Sequence, residues 1–243
     1  MKKRCLLLFL LISLAVSAAL AEDGNLQIGG EIYSGGTYYQ PEALNNHIDA
    51  VWDSWVNAYG FWAEPDNGMD ICVGGSGGLK LRMRFLNLID LELWGEFFRS
   101  GGKQITLDYY YYDGYGSTTI HKDYKYLPSY SSYGVHLVFS PAVNRDKDFR
   151  LRFGGGIGNY TGKLEIETDD GDYIYEGSEP GASLLAGVEI SSEPFFFDFG
   201  ILAKFVTIDT EPEGTTFPEI GAGIEMDYSS VDLGLGAGVM FEL

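Results

Sequence analysis

The chain lacks the features on which many exported proteins and most nucleic-acid-binding proteins depend. Its 243 residues include two cysteines, Cys5 and Cys72. Cys5 falls in a segment that reads as a cleaved export signal, which leaves Cys72 alone and makes an intrachain disulfide impossible. Cations are scarce, 16 Lys and Arg against 35 Asp and Glu, so no nucleic acid is expected as a partner. Histidines are few, and His47, His121 and His136 are the candidates for catalysis. No apolar run approaches the roughly 20 residues of a helical membrane span. An exported chain of this kind needs another large source of stability.

What is present begins with Met1-Lys2-Lys3-Arg4, an apolar run from Leu6 to Leu14, and Ala19-Leu20-Ala21 before Glu22. This is the charged, apolar, small-residue order of a secretory signal peptide. Residues 1–21 are therefore expected to be removed. Residues 22–243 are expected to form one domain, with a net charge of −22 once the three basic residues of the signal have gone.

From Leu26 the pattern has period two, with Leu26, Ile28, Gly30 and Ile32 on one face and Gln27, Gly29, Glu31 and Tyr33 on the other. Pro41 opens a different period. Leu44, Ile48, Trp52, Trp55 and Tyr59 recur at helical spacing until Gly60, which predicts an amphipathic helix inserted at about 41–60. Its polar face, Asn46, Asp49, Asp53 and Asn57, carries no cation, so attraction to an anionic surface is disfavoured. A helix packed on neighbouring loops is the expectation, with a lid, a plug or a helix lying in the membrane interface as the alternatives.

Alternation resumes with Val73, Leu79, Leu81, Met83 and Phe85 on one face and Lys80, Arg82 and Arg84 on the other. A short turn at Leu86–Leu88 sets Arg84 opposite Asp90 and Arg82 opposite Glu92. If Asp170-Gly171 is the two-residue loop of another hairpin, Leu151 faces Ile190, Phe153 faces Val188 and Arg152 faces Glu189. Both hairpins gather apolar residues on one side and opposite charges on the other. Residues 99–132 read as a long hairpin turning at Asp113-Gly114. Its register and that of the strands below differ by one residue, and the irregularity is expected at Pro128–Ser132. With further strands at 133–139, 197–205, Ile220–Asp227 and Val231–Leu243, nine can be counted, within an expected range of 8–10. Short and long connections alternate, as in an up-and-down barrel.

The apolar face carries aromatics near strand ends, namely Phe85, Phe97, Phe139, Phe149, Phe197, Phe205 and Phe241. That is where a transmembrane barrel has its interfacial girdles. The opposite face mixes glycine with Arg and Glu, which suits a narrow lumen, and closure would satisfy every backbone group in lipid. In this pattern the chain resembles the small bacterial outer-membrane β-barrel proteins of the OmpA, OmpX and OmpW kind. The resemblance implies an all-β, antiparallel up-and-down transmembrane barrel, porin-like, in the outer membrane of a Gram-negative cell envelope. It also implies outer-membrane lipid and the barrel assembly machinery as partners. Such chains usually end in an aromatic residue, whereas this one ends Phe241-Glu242-Leu243.

The candidate site is the lumen face. Lys80, Arg82, Arg84, Asp90, Glu92, Glu96, His136, Arg150, Arg152 and Glu189 are expected to form a charge network there. It could act as a selectivity constriction or as ion-paired filling; filling is favoured, because unpaired buried charge is costly. No catalytic residue, metal ligand or cofactor is assigned. His136 should face inward near Ser132, unlike the outward His and Ser of lipid A deacylases. Gly234–Gly238 has no helix after it to bind a dinucleotide. The acids Asp169, Asp170 and Asp172 could hold a calcium ion in an outer loop, but a tight turn explains them without metal and is favoured. The expected function is an integral outer-membrane barrel with a narrow polar lumen. It would have a structural or surface-interaction role, or pass small solutes, and could meet small solutes or extracellular ligands at its long acidic loops. The alternatives are an outer-membrane barrel enzyme acting on lipid and a soluble exported ligand-binding barrel.

Overall fold

A computed structural model of the chain describes residues 26–59, 73–112, 116–143, 148–218 and 220–243. The expected export signal and Cys72 lie outside them. Eleven strands and one helix occur among the described residues: β1 (Leu26–Tyr39), α1 (Glu42–Tyr59), β2 (Val73–Phe85), β3 (Ile89–Ser100), β4 (Lys103–Tyr112), β5 (Ser117–Phe139), β6 (Phe149–Thr168), β7 (Gly171–Ser192), β8 (Phe195–Phe205), β9 (Thr207–Pro212), β10 (Ile224–Asp227) and β11 (Ser230–Glu242). Eight of them close a ring in the order β1-β2-β3-β5-β6-β7-β8-β11, and β11 pairs back onto β1 from Gln27–Glu242 to Tyr39–Ser230. Every pairing is antiparallel.

Eight is an even number, so both ends of the ring chain, Leu26 and Glu242, reach the same rim. The ninth strand of the sequence reading, Ile220–Asp227, is not in the wall. Only Ile224–Asp227 is extended, and it pairs with β9 beyond the ring. Its alternation has a different cause. Met226 is fully buried, and Ile220 and Ile224 pack on an apolar core outside the ring. A strand against a protein core and a strand against lipid carry the same period-two pattern.

The turn at Leu86–Leu88 gives the expected register, with Arg84 opposite Asp90 and Arg82 opposite Glu92. Leu86 and Asn87 both take positive φ (54° and 52°), and Leu88 N–H donates to Phe85 O at 3.0 Å. That combination is a type I′ reversal, whose twist matches the flanking strands. The β6–β7 hairpin differs from its expected register by two residues. Its loop is Asp169-Asp170, Thr168 pairs with Gly171, and Glu189 faces Arg150 instead of Arg152. Neither aspartate has positive φ; Gly171 does, at 144°, so the glycine ends the turn instead of occupying its centre. A shift of two keeps every side chain on its predicted face.

The irregularity expected at Pro128–Ser132 lies on the neighbouring chain segment. Arg99 pairs with Ser129 and Lys103 with Tyr126, so Ser100-Gly101-Gly102 contains the extra residue. Gly102 sits at φ 76°, where a side chain is strained. Strand β5 continues through this point, and Pro128, which has no N–H to give, lies opposite the gap between β3 and β4.

Apolar side chains of every ring strand face outward. Ile32, Leu79, Leu93, Leu137, Ile157, Leu184, Phe199 and Leu235 are all exposed, a continuous belt larger than soluble monomers show. Of the seven girdle aromatics, Phe97, Phe139, Phe197, Phe205 and Phe241 are exposed, Phe149 is half-buried and Phe85 is buried beside the turn.

Beyond one rim the long strands β5, β6 and β7 continue and combine with β4, β9 and β10. The long hairpin read over 99–132 is thus largely sheet among the described residues. The inner face of this extramembrane sheet buries Tyr126, Leu164, Ile166, Tyr175, Ile208 and Met226. The helix covers this core with Leu44 and Ile48, both fully buried, while Asn46, Asp49 and Asp53 stay exposed. Lys103 Nζ donates to Asp49 Oδ1 at 3.0 Å, tying α1 to the start of β4. At the far end of this sheet, the Thr106 hydroxyl donates to Asp123 Oδ1 at 2.6 Å. With His121 beside it, that bond holds the Asp123 carboxyl below the usual range.

Leu81→Arg places a charge in the middle of the apolar belt and should cost about 2–4 kcal/mol of insertion free energy. Glu213→Arg, in an exposed outer turn, should be neutral. The measurement is the folded fraction in lipid vesicles read by heat-modifiable gel mobility; equal losses would contradict a lipid-facing belt.

Candidate functional site

Alternation delivers the inward side chains in layers. The layer nearest the short-turn rim is ionic. Arg82 on β2 is fully buried and meets four carboxylates: Nε lies 2.8 Å from Glu92 Oε1, Nη1 donates to Glu189 Oε2 at 2.6 Å, and Nη2 donates to Glu31 and Asp198. Arg84 grips Asp90 with Nε and Nη2 at 2.6 and 2.9 Å and reaches Glu189 with Nη1 and Nη2 at 2.9 and 2.8 Å. Arg152 joins Glu92 to Asp198. Lys80 pairs with Glu31 at 3.1 Å. Arg150 turns to the rim, where Nη1 donates to the carbonyls of Asn87 at 2.7 Å and Ser140 at 3.0 Å, holding two turns together.

The expected pairs Arg84–Asp90 and Arg82–Glu92 are therefore made. The expected pair Arg152–Glu189 is not: the two-residue register difference moves Glu189 to Arg150 across the strands, and Arg82 and Arg84 occupy its carboxylate. Sequence reasoning also left out Glu31, Asp198, Lys204 and Asp232. Each stands at an alternate position of a strand whose inward face was already assigned, so the alternation was the signal that could have found them.

A second layer lies further along the bore. Glu96 accepts from the hydroxyls of Tyr33 and Tyr130, each at 2.9 Å, and from Lys204. Lys204 Nζ also donates to Asp232 Oδ2 at 2.5 Å and to Tyr130 Oη at 2.7 Å. His136 stands between the layers, with Nε2 2.8 Å from Ser183 Oγ and Nδ1 3.6 Å from Glu92 Oε2. Serine, imidazole and carboxylate thus line up as in a hydrolase. However, Ser183 and His136 are 2% and 1% exposed, and the Trp94 ring stacks on the imidazole at 5.3 Å. Both side chains lie enclosed among the lumen residues.

Above this the lumen is aromatic. Phe98 stacks on Tyr130 at 4.8 Å, Tyr39 stacks on Tyr228 at 5.4 Å, and Tyr130 meets Tyr228 edge-on at 5.7 Å. The inward glycines make room for such rings. A Cβ at Gly78 would lie 2.8 Å from the Tyr33 hydroxyl, and one at Gly134 or Gly158 would lie 2.8 Å from the Trp94 ring. The bore is polar in its lower half, filled by rings in its upper half, and capped by the outer sheet and α1.

The ring surrounds these charges with low dielectric, and its belt fits only a hydrocarbon surround. It is an outer-membrane type of barrel, embedded in lipid. No family model matches the chain, and no curated protein matches it. Among solved structures it is similar to Neisserial surface protein A, with 11% identity over 90% of this chain and 100% of that one and a TM-score of 0.44. It is also similar to the outer membrane protein OprG from Pseudomonas aeruginosa (14% identity, 90% and 96% covered, TM-score 0.46). A third is the outer membrane protease OmpT from Escherichia coli (10% identity, 90% and 97% covered, TM-score 0.40).

Removing one member of a buried ion cluster leaves its partners uncompensated and costs about 3–5 kcal/mol. Arg82→Met, which strips four carboxylates of a shared cation, should lose that much in urea unfolding from lipid vesicles. Adding Glu189→Gln should restore part of the loss, giving a non-additive cycle; strict additivity would mean the cluster does not act as a unit.

Proposed function

We propose that this protein is a non-conducting outer-membrane barrel that anchors and displays its extramembrane sheet and helix at the cell surface. The observation that carries the reading is the filling of the bore by successive layers, ionic, polar and aromatic, beneath a covered outer core. Side chains just fill a ring of about eight strands, and here the filling is closed by ion pairs and stacked rings. Passage of small solutes would require both the ionic layer and the aromatic roof to rearrange. The acidic outer sheet, with Glu176 directly opposite Glu211, suits contact with cationic extracellular ligands better than with anionic ones.

The reading is non-enzymatic, since the Ser183–His136–Glu92 line is enclosed. We further infer that the envelope's barrel assembly machinery inserts the chain, with β11 closing the ring onto β1. The lumen charge network then acts as ion-paired filling: it replaces the water that would otherwise solvate a polar bore.

Purified protein in a planar bilayer should show no stable unit conductance. Glu92→Gln should loosen the ionic layer yet stay nearly silent, because the roof remains; raised conductance should need the roof opened as well, as in Glu92→Gln combined with Tyr130→Ala. Large, steady steps from the unmodified protein would favour a pore instead. An epitope inserted in the exposed turn at Glu213–Thr215 should be labelled on intact cells, and one at Leu86–Leu88 should not.

A further inference from the structure

Among the described residues every Lys and Arg but one is paired with a carboxylate. The lumen cations pair with the lumen acids, and Lys103 pairs with Asp49. On the outer sheet Lys122, Lys125 and Lys163 pair with Asp170, Glu167 and Glu165. Arg99 on β3 is exposed and has no acidic partner.

Its position in the wall is specific. The pleat puts Arg99 on the outside, two residues beyond Phe97, a ring of the apolar belt that is 56% exposed. Two residues of strand rise about 7 Å, so the guanidinium stands where hydrocarbon gives way to headgroups. The belt ends at this height on the neighbouring strands too: outward Tyr133 on β5 is followed by Ser131 and Ser129, and outward Ile157 on β6 by Asn159. Ser129 lies directly opposite Arg99 and so shares its face. On the other side Arg99 pairs with Gly75 of β2, where a Cβ would meet nothing within 4 Å. The wall beside Phe97 is therefore bare enough for a lipid chain to lie against it.

We propose that Arg99 binds the phosphate of an anionic lipid in the leaflet that adjoins the extramembrane sheet, with the Ser129 hydroxyl as a second donor and the lipid chain along Phe97 and Gly75. A planar guanidinium matches two phosphate oxygens at once, and a long side chain at the edge of a belt can keep its charged end among headgroups. The charge pattern of the outer sheet confines the site to this flank. Across β7, β9 and β10 the exposed pairs are acid against acid, Glu176 with Glu211 and Asp209 with Glu225, which repel an anionic headgroup.

The test uses full-length protein folded in mixed micelles with equal amounts of phosphatidylglycerol and phosphatidylcholine of the same chains, and native mass spectrometry reads the lipid it retains. A net charge of −19 repels anionic lipid on average, so a preference for it reports a local site. Phosphatidylglycerol should be retained about fivefold over phosphatidylcholine. Arg99→Gln should bring the two to parity with heat-modifiable mobility unchanged, and Arg99→Lys, which keeps the charge without the fork, should keep part of the preference. Lys125→Gln, further up the sheet, should keep all of it. Parity in the unmodified protein, or a preference that survives Arg99→Gln, would overturn the proposal. An equal loss in Lys125→Gln would overturn it in favour of bulk charge, and loss of the preference on adding inorganic phosphate would make a soluble anion the ligand in place of a lipid.

Discussion

Hydrocarbon offers the peptide group no hydrogen-bond partner, and most of this architecture follows from that one constraint. A sheet crossing such a medium must have no free edge, so β11 returns to β1 and the ring closes. Antiparallel closure of a single chain calls for an even count, and Ile224–Asp227 is the segment left outside the wall, paired with β9. Once the ring is closed, the pleat sends alternate residues to lipid and to the bore, and the two sets face opposite demands. Leu81 and Leu93 sit opposite one another on the outside; Arg82 and Glu92, one residue away, sit opposite one another inside.

The bore is too narrow to hold bulk water, so what fills it must solvate itself. Arginine suits this task because its planar fork can serve several carboxylates at once, as Arg82 does with four and Arg84 does with two. The glycines on the same face have the complementary role. They thin the wall so that Tyr33 and Trp94 can lie against it, and a wall of ordinary side chains could not enclose both rings and ion pairs.

Past the outer rim water returns and the rules change. The same long strands β5, β6 and β7 keep their alternation, but the apolar side chains now point to a protein core under α1 instead of to lipid. The extramembrane part is therefore continuous with the barrel. Its strands β5, β6 and β7 run on from the barrel wall without a break in pairing.

Period two was readable in the chain alone because it is a local property of each strand. It gave the class, the lipid-facing set and the pairs Arg84–Asp90 and Arg82–Glu92 across a tight turn, while the change to helical spacing after Pro41 placed the helix at 41–60 against the observed Glu42–Tyr59. The register of β6–β7 was legible only modulo two, since a shift of two leaves every face unchanged and the Asp-Asp-Gly turn can close in more than one way. Which charges meet was not legible at all beyond adjacent strands. Arg82 and Glu189 are 107 residues apart and Lys204 and Glu96 are 108 apart, and they touch only because the ring curls their strands around a common axis. The tertiary structure likewise decided that Ile224 and Met226 face a core and not lipid, because an apolar stripe records that one side avoids water and does not record what lies against it.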